Sequence, residues 1–344
     1  MAPLNPNESA AMLALKAVSP PPKPPVILSV IVPMYNEQAV LPQLQRRLTA
    51  VLDALPERCE IVLVDDGSSD NTLALAQAFD AGSSDLLVLG LSRNFGKEAA
   101  TSAGLKHANG AAVVLLDADL QDPPELIPSM LAQWRQGYDV VNMRRRQRHG
   151  ESWLKRQSAA AFYRVLNWLS DQPIPENVGD FRLLSRQVVD HINELPERNR
   201  YMKGLFNWPG FNTITLDFDR DPRLAGETKW NYFKLFGLAI DGITAFSIKP
   251  LRLATLVGSL CAAWAFSYGL WVMLKTAVWG EVLQGYPTMM VVMLGLGGMQ
   301  LLAIGILGEY LGRVFIEVKG RPSYLVQQVN HIPASLAARE RALR

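Results

Sequence analysis

The feature that most constrains this chain is a pair of uncharged apolar runs near its C-terminal end, residues 253–274 and 288–307. Each holds about 20 residues, the length an α-helix needs to cross the hydrocarbon core of a bilayer. The two runs are therefore predicted to be transmembrane helices joined in a hairpin. Lys249 and Arg252 precede the first, Arg313, Lys319 and Arg321 follow the second, and the link between them offers only Lys275 and Glu281. Positive charge stays on the inner side of a membrane, so both ends of the hairpin are expected in the cytoplasm. Just before the hairpin, residues 232–240 are apolar but carry Lys234 and run into Asp241, which reads as an interfacial helix. Within the second run, Gly295-Leu296-Gly297-Gly298 is better explained by helix packing than by nucleotide binding, because no strand precedes it. Gly308 and Gly312 have the spacing that brings membrane helices together, so a homo-oligomer is compatible with them.

The remaining sequence has room for a full globular domain. The chain has 344 residues, 49% apolar and 19% charged, with a net charge of +2. That balance, without basic residues interleaved with aromatics, argues against nucleic acid. Cys59 and Cys261 can build neither a disulfide framework nor a zinc site, which fits a reducing compartment. His107, His149, His191 and His331 have no ligand spacing. Residues 1–25 include Ser19-Pro20-Pro21-Pro22-Lys23-Pro24-Pro25 and show no signal-peptide pattern, so a disordered leader is expected. From 26 to about 144, β-rich runs at 28–32, 61–64, 86–91, 113–116 and 139–143 alternate with helical stretches at 38–55 and 97–108. Such alternation predicts a mainly parallel α/β sheet wrapped by helices.

Three of these runs end in polar clusters. The run 111–116 leads into Asp117-Ala118-Asp119-Leu120-Gln121-Asp122-Pro123-Pro124. The run 61–64 leads into Asp65-Asp66-Gly67-Ser68-Ser69-Asp70, and 28–32 into Pro33-Met34-Tyr35-Asn36-Glu37. In an open α/β sheet ligands bind beyond the carboxyl ends of the strands, so the clusters are expected to line one crevice. Carboxylates one residue apart at a strand end can hold Mg²⁺ or Mn²⁺ and leave positions open for phosphate oxygens. Asp119 is the leading metal ligand, with Asp117 reaching metal or ribose and Gln121 adding an amide oxygen. Asp122 can instead cap the following helix.

The order of these motifs resembles glycosyltransferase family 2, inverting enzymes of GT-A fold that use nucleotide-diphospho-sugars. Gly179-Asp180-Phe181-Arg182-Leu183, Glu197-Arg198-Asn199-Arg200-Tyr201 and Gly308-Glu309-Tyr310-Leu311-Gly312-Arg313 make it most similar to the bactoprenol (undecaprenyl-phosphate) glucosyltransferases, relatives of dolichyl-phosphate mannose synthases. The resemblance covers about 26–329. It implies a GT-A domain at 26–229, an interfacial amphipathic helix at 230–249, a two-helix transmembrane domain at 250–315 and a cytoplasmic tail at 316–344.

The resemblance also implies roles. Pro33, Tyr35, Glu37 and Asp66 fall where the uridine is held, and Asp180 where a base or an acceptor-aligning acid stands beside the catalytic Asp119. Lys229, in Gly226-Glu227-Thr228-Lys229-Trp230, belongs to a loop that closes over donor diphosphate. The acceptor implied is a polyprenyl phosphate. Arg144, Lys155, Arg156, Ser158 and Arg200 are candidates to hold it, since a phosphate dianion wants charge-assisted donors. Residues 151–169 support this, with Lys155, Arg156 and Arg164 set between apolar positions. The expected activity is a metal-dependent transfer of a sugar, glucose by resemblance, from a UDP-sugar to the lipid at the cytoplasmic face of a bacterial inner membrane. An aminoarabinose or N-acetylhexosamine donor shares every motif quoted. A processive polysaccharide synthase fits less well, because Gln157 does not open a Gln-x-x-Arg-Trp motif, and a non-catalytic membrane scaffold would not need three acidic strand ends.

Overall fold

The computed structural model describes residues 25–146, 178–198, 200, 202–206, 209–219, 248–279 and 285–334. Among them, strands β1 (Leu28–Met34), β2 (Cys59–Asp65), β3 (Asp85–Leu91), β4 (Ala112–Leu115), β5 (Val140–Arg145), β6 (Val178–Ser185), β7 (Thr213–Phe218) and β8 (Val326–Ile332) join in one sheet. Their order is β7-β5-β6-β4-β1-β2-β3-β8. The centre is parallel, with β1 between β2 and β4 and β3 beyond β2. Every residue of β2 and β3 is buried, as expected of near-continuous apolar strands covered on both faces.

Period-2 alternation divides the core in two. Val30 and Ile61 face the helices Leu41–Asp53 and Ile127–Arg135. Their neighbours Ile31 and Val62 face the helices Lys97–His107 and Arg186–Glu194. The Leu41–Asp53 helix buries Leu41, Leu44, Leu48 and Leu52, one stripe of a 3.6-residue period, and carries proline in its first turn. The Lys97–His107 helix lies so close to β1 that a Cβ at Gly104 would fall 2.3 Å from Ile31 Cγ2.

The C-terminal segment adds to the sequence reading. Residues 316–344, expected as a cytoplasmic tail, contain a strand that the sequence reading did not predict: β8 pairs antiparallel with β3 from Leu86↔Ile332 to Leu91↔Val326. An uncovered β3 edge would present a row of unpaired backbone groups, and β8 removes it.

The two apolar runs lie inside longer helices, Lys249–Trp279 and Tyr286–Lys319. At 31 and 34 residues these are roughly 46 and 51 Å long, more than the ~30 Å of a bilayer core. Their most apolar windows have mean hydropathies of 1.5 and 2.0 and bury no residue against protein. Cys261 Sγ meets Met299 Sδ at 3.3 Å between the two helices. Gly320, with φ 69°, ends the second helix in a left-handed cap. The leader before Pro25 and the predicted interfacial helix up to residue 247 lie outside the described residues.

Candidate active site

Strand register builds the site. Parallel pairing sets Met34 beside Asp65 and Ile31 beside Leu115, so the chain leaves β1, β2 and β4 on one edge of the sheet. β6 runs the other way, with Leu115 opposite Arg182. Continuing that register by two residues puts Asp180 opposite Asp117, although 63 residues separate them in sequence.

The loops on this edge are tied to one another. Asn36 N–H donates to Ser68 Oγ at 2.9 Å, its Oδ1 accepts from Ser69 N–H at 2.9 Å, and Glu37 N–H donates to Thr72 Oγ1 at 2.8 Å. Asn36 (φ 56°) and Leu120 (φ 57°) are the non-glycine residues with left-handed backbone among those described, and both lie in these loops. Such backbone is uncommon outside glycine and gathers where surrounding structure enforces it. Gly67 (φ 67°) cannot be replaced without conflict, since a Cβ there would lie 2.4 Å from the Arg93 carbonyl carbon.

A cavity of about 310 Å³ opens on the edge. Pro33, Tyr35, Glu37, Asp66, Asp117 and Asp119 line it, so six residues predicted from sequence meet in one space. Lys97, at the start of its helix, was not predicted. Its Nζ lies 2.6 Å from Asp117 Oδ1 and 2.5 Å from Asp180 Oδ2, bridging the ends of β4 and β6. Burial alone would lower the pKa of this ammonium, but the two carboxylates outweigh it and hold the group above its ordinary range. Asp66 uses both oxygens on the loop before that helix, accepting from Phe95 N–H at 2.8 Å and Gly96 N–H at 2.9 Å. Burial raises the Asp66 pKa by more than these bonds lower it. Behind Asp180, Arg182 is fully buried, donates to the Gly179 carbonyl at 2.7 Å and stacks over Phe206 at 4.3 Å. Burial pulls its pKa down to about 10, with Asp180 and Glu98 opposing that shift.

Glu37, Asp66, Asp117 and Asp119 make this an acidic cavity, and Lys97 is the cation among its described lining residues. A diphosphate entering it would meet repulsion that a divalent cation relieves. Asp117 and Asp119 suit a hard cation that keeps positions for phosphate oxygens. They do not form a closed cage, since the described residues contain no group of three or more acidic, His or Cys ligands. Gln121 is buried and does not line the cavity; its N–H donates to Asp119 Oδ1 at 3.1 Å.

The predicted acceptor residues separate. Arg144 is not brought to the cavity: on β5 it forms a two-point pair with Asp217 of β7, at 2.7 and 3.1 Å. β7 was not predicted, so nothing in the sequence reading offered Arg144 this partner. Arg200 stands in a second cavity with Lys97. Lys155, Arg156, Ser158 and Lys229 lie outside the described residues.

A mainly parallel sheet with acidic strand ends around one cavity fits a glycosyltransferase of GT-A fold. Residues 29–192 match the model of glycosyl transferase family 2, and residues 249–314 match that of the GtrB C-terminal hairpin. The chain belongs to glycosyl transferase family 2. It is 44% identical over 301 residues to an SfII prophage-derived bactoprenol glucosyl transferase of Shigella flexneri, covering 88% of this chain and 97% of the relative. A prophage bactoprenol glucosyl transferase homolog of Escherichia coli is 43% identical over 302 residues, covering 88% and 99%. An uncharacterized glycosyltransferase of Synechocystis is 49% identical over 304 residues, covering 88% and 95%.

Proposed function

We propose that the protein transfers glucose from UDP-glucose to a polyprenyl phosphate, undecaprenyl phosphate in a bacterial membrane, with inversion at the anomeric carbon. The observation that carries this reading is the acidic cavity, read beside relatives at 43–44% identity that are named bactoprenol glucosyl transferases and span the membrane hairpin as well.

Tyr35, Pro33 and Glu37 hold the uridine side of the donor, while Asp66 fixes the loop that carries Lys97. Asp117 and Asp119 would hold Mg²⁺ or Mn²⁺, which would supply the charge that neutralises the diphosphate of the donor. Asp180 aligns the acceptor. Its phosphate oxygen is already ionised near neutral pH, so orientation matters more than proton removal. Lys97 keeps Asp180 and Asp117 in register across the sheet, and its loss should slow transfer more than it weakens donor binding. Both hairpin ends face the cytoplasm in this reading, supported by the basic flanks Lys249, Arg252, Arg313 and Lys319.

The test is transfer by purified full-length enzyme to undecaprenyl phosphate from a panel of UDP-sugars with Mg²⁺ or Mn²⁺. UDP-glucose should give the highest kcat/KM and an inverted product. Asp119→Ala or excess EDTA should abolish turnover. Preference for UDP-N-acetylglucosamine or an aminoarabinose donor overturns the sugar, full activity in EDTA overturns the metal, and no transfer from any nucleotide-sugar overturns the reading.

A further inference from the structure

Lys97 is fixed at its base and free at its tip. It opens the Lys97–His107 helix directly after Gly96, whose φ of 99° lies in the region that favours glycine. Asp66 holds the turn before it by accepting from Phe95 N–H and Gly96 N–H. Glu98 holds the turn after it, since its Oε2 accepts the Met202 N–H at 3.2 Å. The Lys97 side chain itself is 44% exposed along the acidic cavity. Its flexible four-carbon stem can therefore swing without unpacking the core.

The ammonium is shared between two carboxylates. Asp117 Oδ1 stands 2.6 Å from Nζ and Asp180 Oδ2 2.5 Å from it, so giving up either one leaves Lys97 paired with the other. Asp117 is also one of the carboxylates suited to a divalent cation. A second positive charge on that carboxylate repels the ammonium strongly at such short range. Nor is there space for both deeper in the clamp. Behind the ammonium, Lys97, Asp117 and Asp180 border a space of about 10 Å³ with Met202 and Phe206, room for about one water. A divalent cation has to reach Asp117 from the larger cavity, whose wall carries both Asp119 and Lys97.

A diphosphate reverses this conflict. Negative oxygens placed between two positive groups attract both, so the ammonium and a divalent cation stop competing once a nucleotide lies between them. Cation and nucleotide should then bind as partners rather than independently.

We propose that Lys97 is a place-holder for the divalent cation: its ammonium occupies Asp117 until a nucleoside diphosphate and a metal ion arrive together, and then withdraws onto Asp180. This rests on the donor and metal classes given under the proposed function. It gives Lys97 a task beyond alignment, the control of when the cation can bind.

The experiment measures Mn²⁺ binding by electron paramagnetic resonance, using the full chain in zwitterionic nanodiscs with and without saturating UDP. In the wild type UDP should tighten Mn²⁺ binding at least tenfold, and by linkage Mn²⁺ should tighten calorimetric UDP binding by the same factor. Lys97→Met should bind Mn²⁺ without UDP at least tenfold more tightly than the wild type, so that the UDP effect shrinks. Lys97→Arg, which keeps the charge, should stay within threefold of the wild type. In an Asp117→Asn background the Lys97→Met change should alter Mn²⁺ affinity less than threefold; a tenfold gain there is a general effect of cavity charge and overturns the proposal. Wild-type Mn²⁺ affinity that is the same with and without UDP also overturns it, whether or not the Lys97 variants fold. So does equal nucleotide-free affinity in the wild type and a folded Lys97→Met, and both results leave the transferase reading intact. A wild type that binds no Mn²⁺ even with UDP overturns the metal assignment beneath the proposal, and the proposal with it.

Discussion

The central strands of the catalytic sheet and the membrane hairpin are both rich in apolar residues and meet opposite surroundings. Leu63 on β2 is 0% exposed, whereas Leu302 in the second membrane helix is 67% exposed. In the sheet, apolar side chains find partners within the protein, and each carries the packing of its neighbours. In the hairpin they find none beyond the facing helix among the described residues, which suits them to a lipid environment. The same residue type therefore stabilises the first region by interlocking and the second by solubility in hydrocarbon.

Substitutions can break this contrast. Leu63→Ala should cost about 2–5 kcal/mol through lost burial and a residual cavity, read by urea unfolding, while Leu302→Ala should leave the midpoint nearly unchanged. Comparable losses at both sites would mean that the hairpin is packed as a protein core. Leu302→Arg asks the converse, since a charge at the middle of a membrane helix costs about 2.5–3.5 kcal/mol on insertion scales. The expected result is a larger fraction extracted from membranes by alkaline carbonate, with the sheet still folded.

Glycine sharpens the comparison. Gly104→Ala drives a methyl into Ile31 and should cost about 1–3 kcal/mol by overpacking. Gly305 has open space around its Cβ direction, so Gly305→Ala should be neutral or gain up to about 1 kcal/mol from helix propensity. A matching loss at Gly305 in membranes would reveal a close helix neighbour there.

The smallest effect belongs to the ion pair that ties the Leu41–Asp53 helix to the turn after the Asp119 loop. Arg47 Nη2 meets Glu125 Oε2 at 2.6 Å on a partly exposed surface, which limits it to under about 1 kcal/mol. The hydrogen bond from Arg47 is the largest cause holding the Glu125 pKa below its ordinary value. A carboxylate depressed in the folded state contributes stability above its unfolded pKa and loses it as pH falls through the folded one. The Tm gap between wild type and Arg47→Ala should thus be present at neutral pH and close in acid. A gap that persists once Glu125 is protonated would assign the effect to packing of the arginine stem.

What the sequence disclosed follows from how local each signal is. The five predicted strands all appear, because uninterrupted runs such as 86–91 announce two-sided burial and acidic residues follow where the runs stop. Three strands escaped notice: β6, whose apolar run is interrupted by Asp180 and Arg182, and the two at the sheet edges, β7 and β8, for the opposite reason. The last two are edge strands with exposed residues, and Val326–Ile332 includes Gln327, Gln328, Asn330 and His331, so no apolar run marks it. Lys97 was passed over as the start of a helical stretch. Its importance comes from Asp117 and Asp180, which sheet register assembles around it, and an antiparallel β6 lying between β4 and β5 cannot be read from spacing. The pairing of Arg144 was hidden in the same way, since its partner Asp217 lies on the unrecognised β7.

The second membrane helix runs without interruption to Lys319, and residues 320–325 are all that separate it from β8. Fully extended, six residues reach about 20 Å. The helix is therefore also a tether: it limits how far the sheet can stand from the helix end, where a long linker would leave that distance open. For a substrate confined to a bilayer, such a short tether would leave the encounter a search mainly in two dimensions.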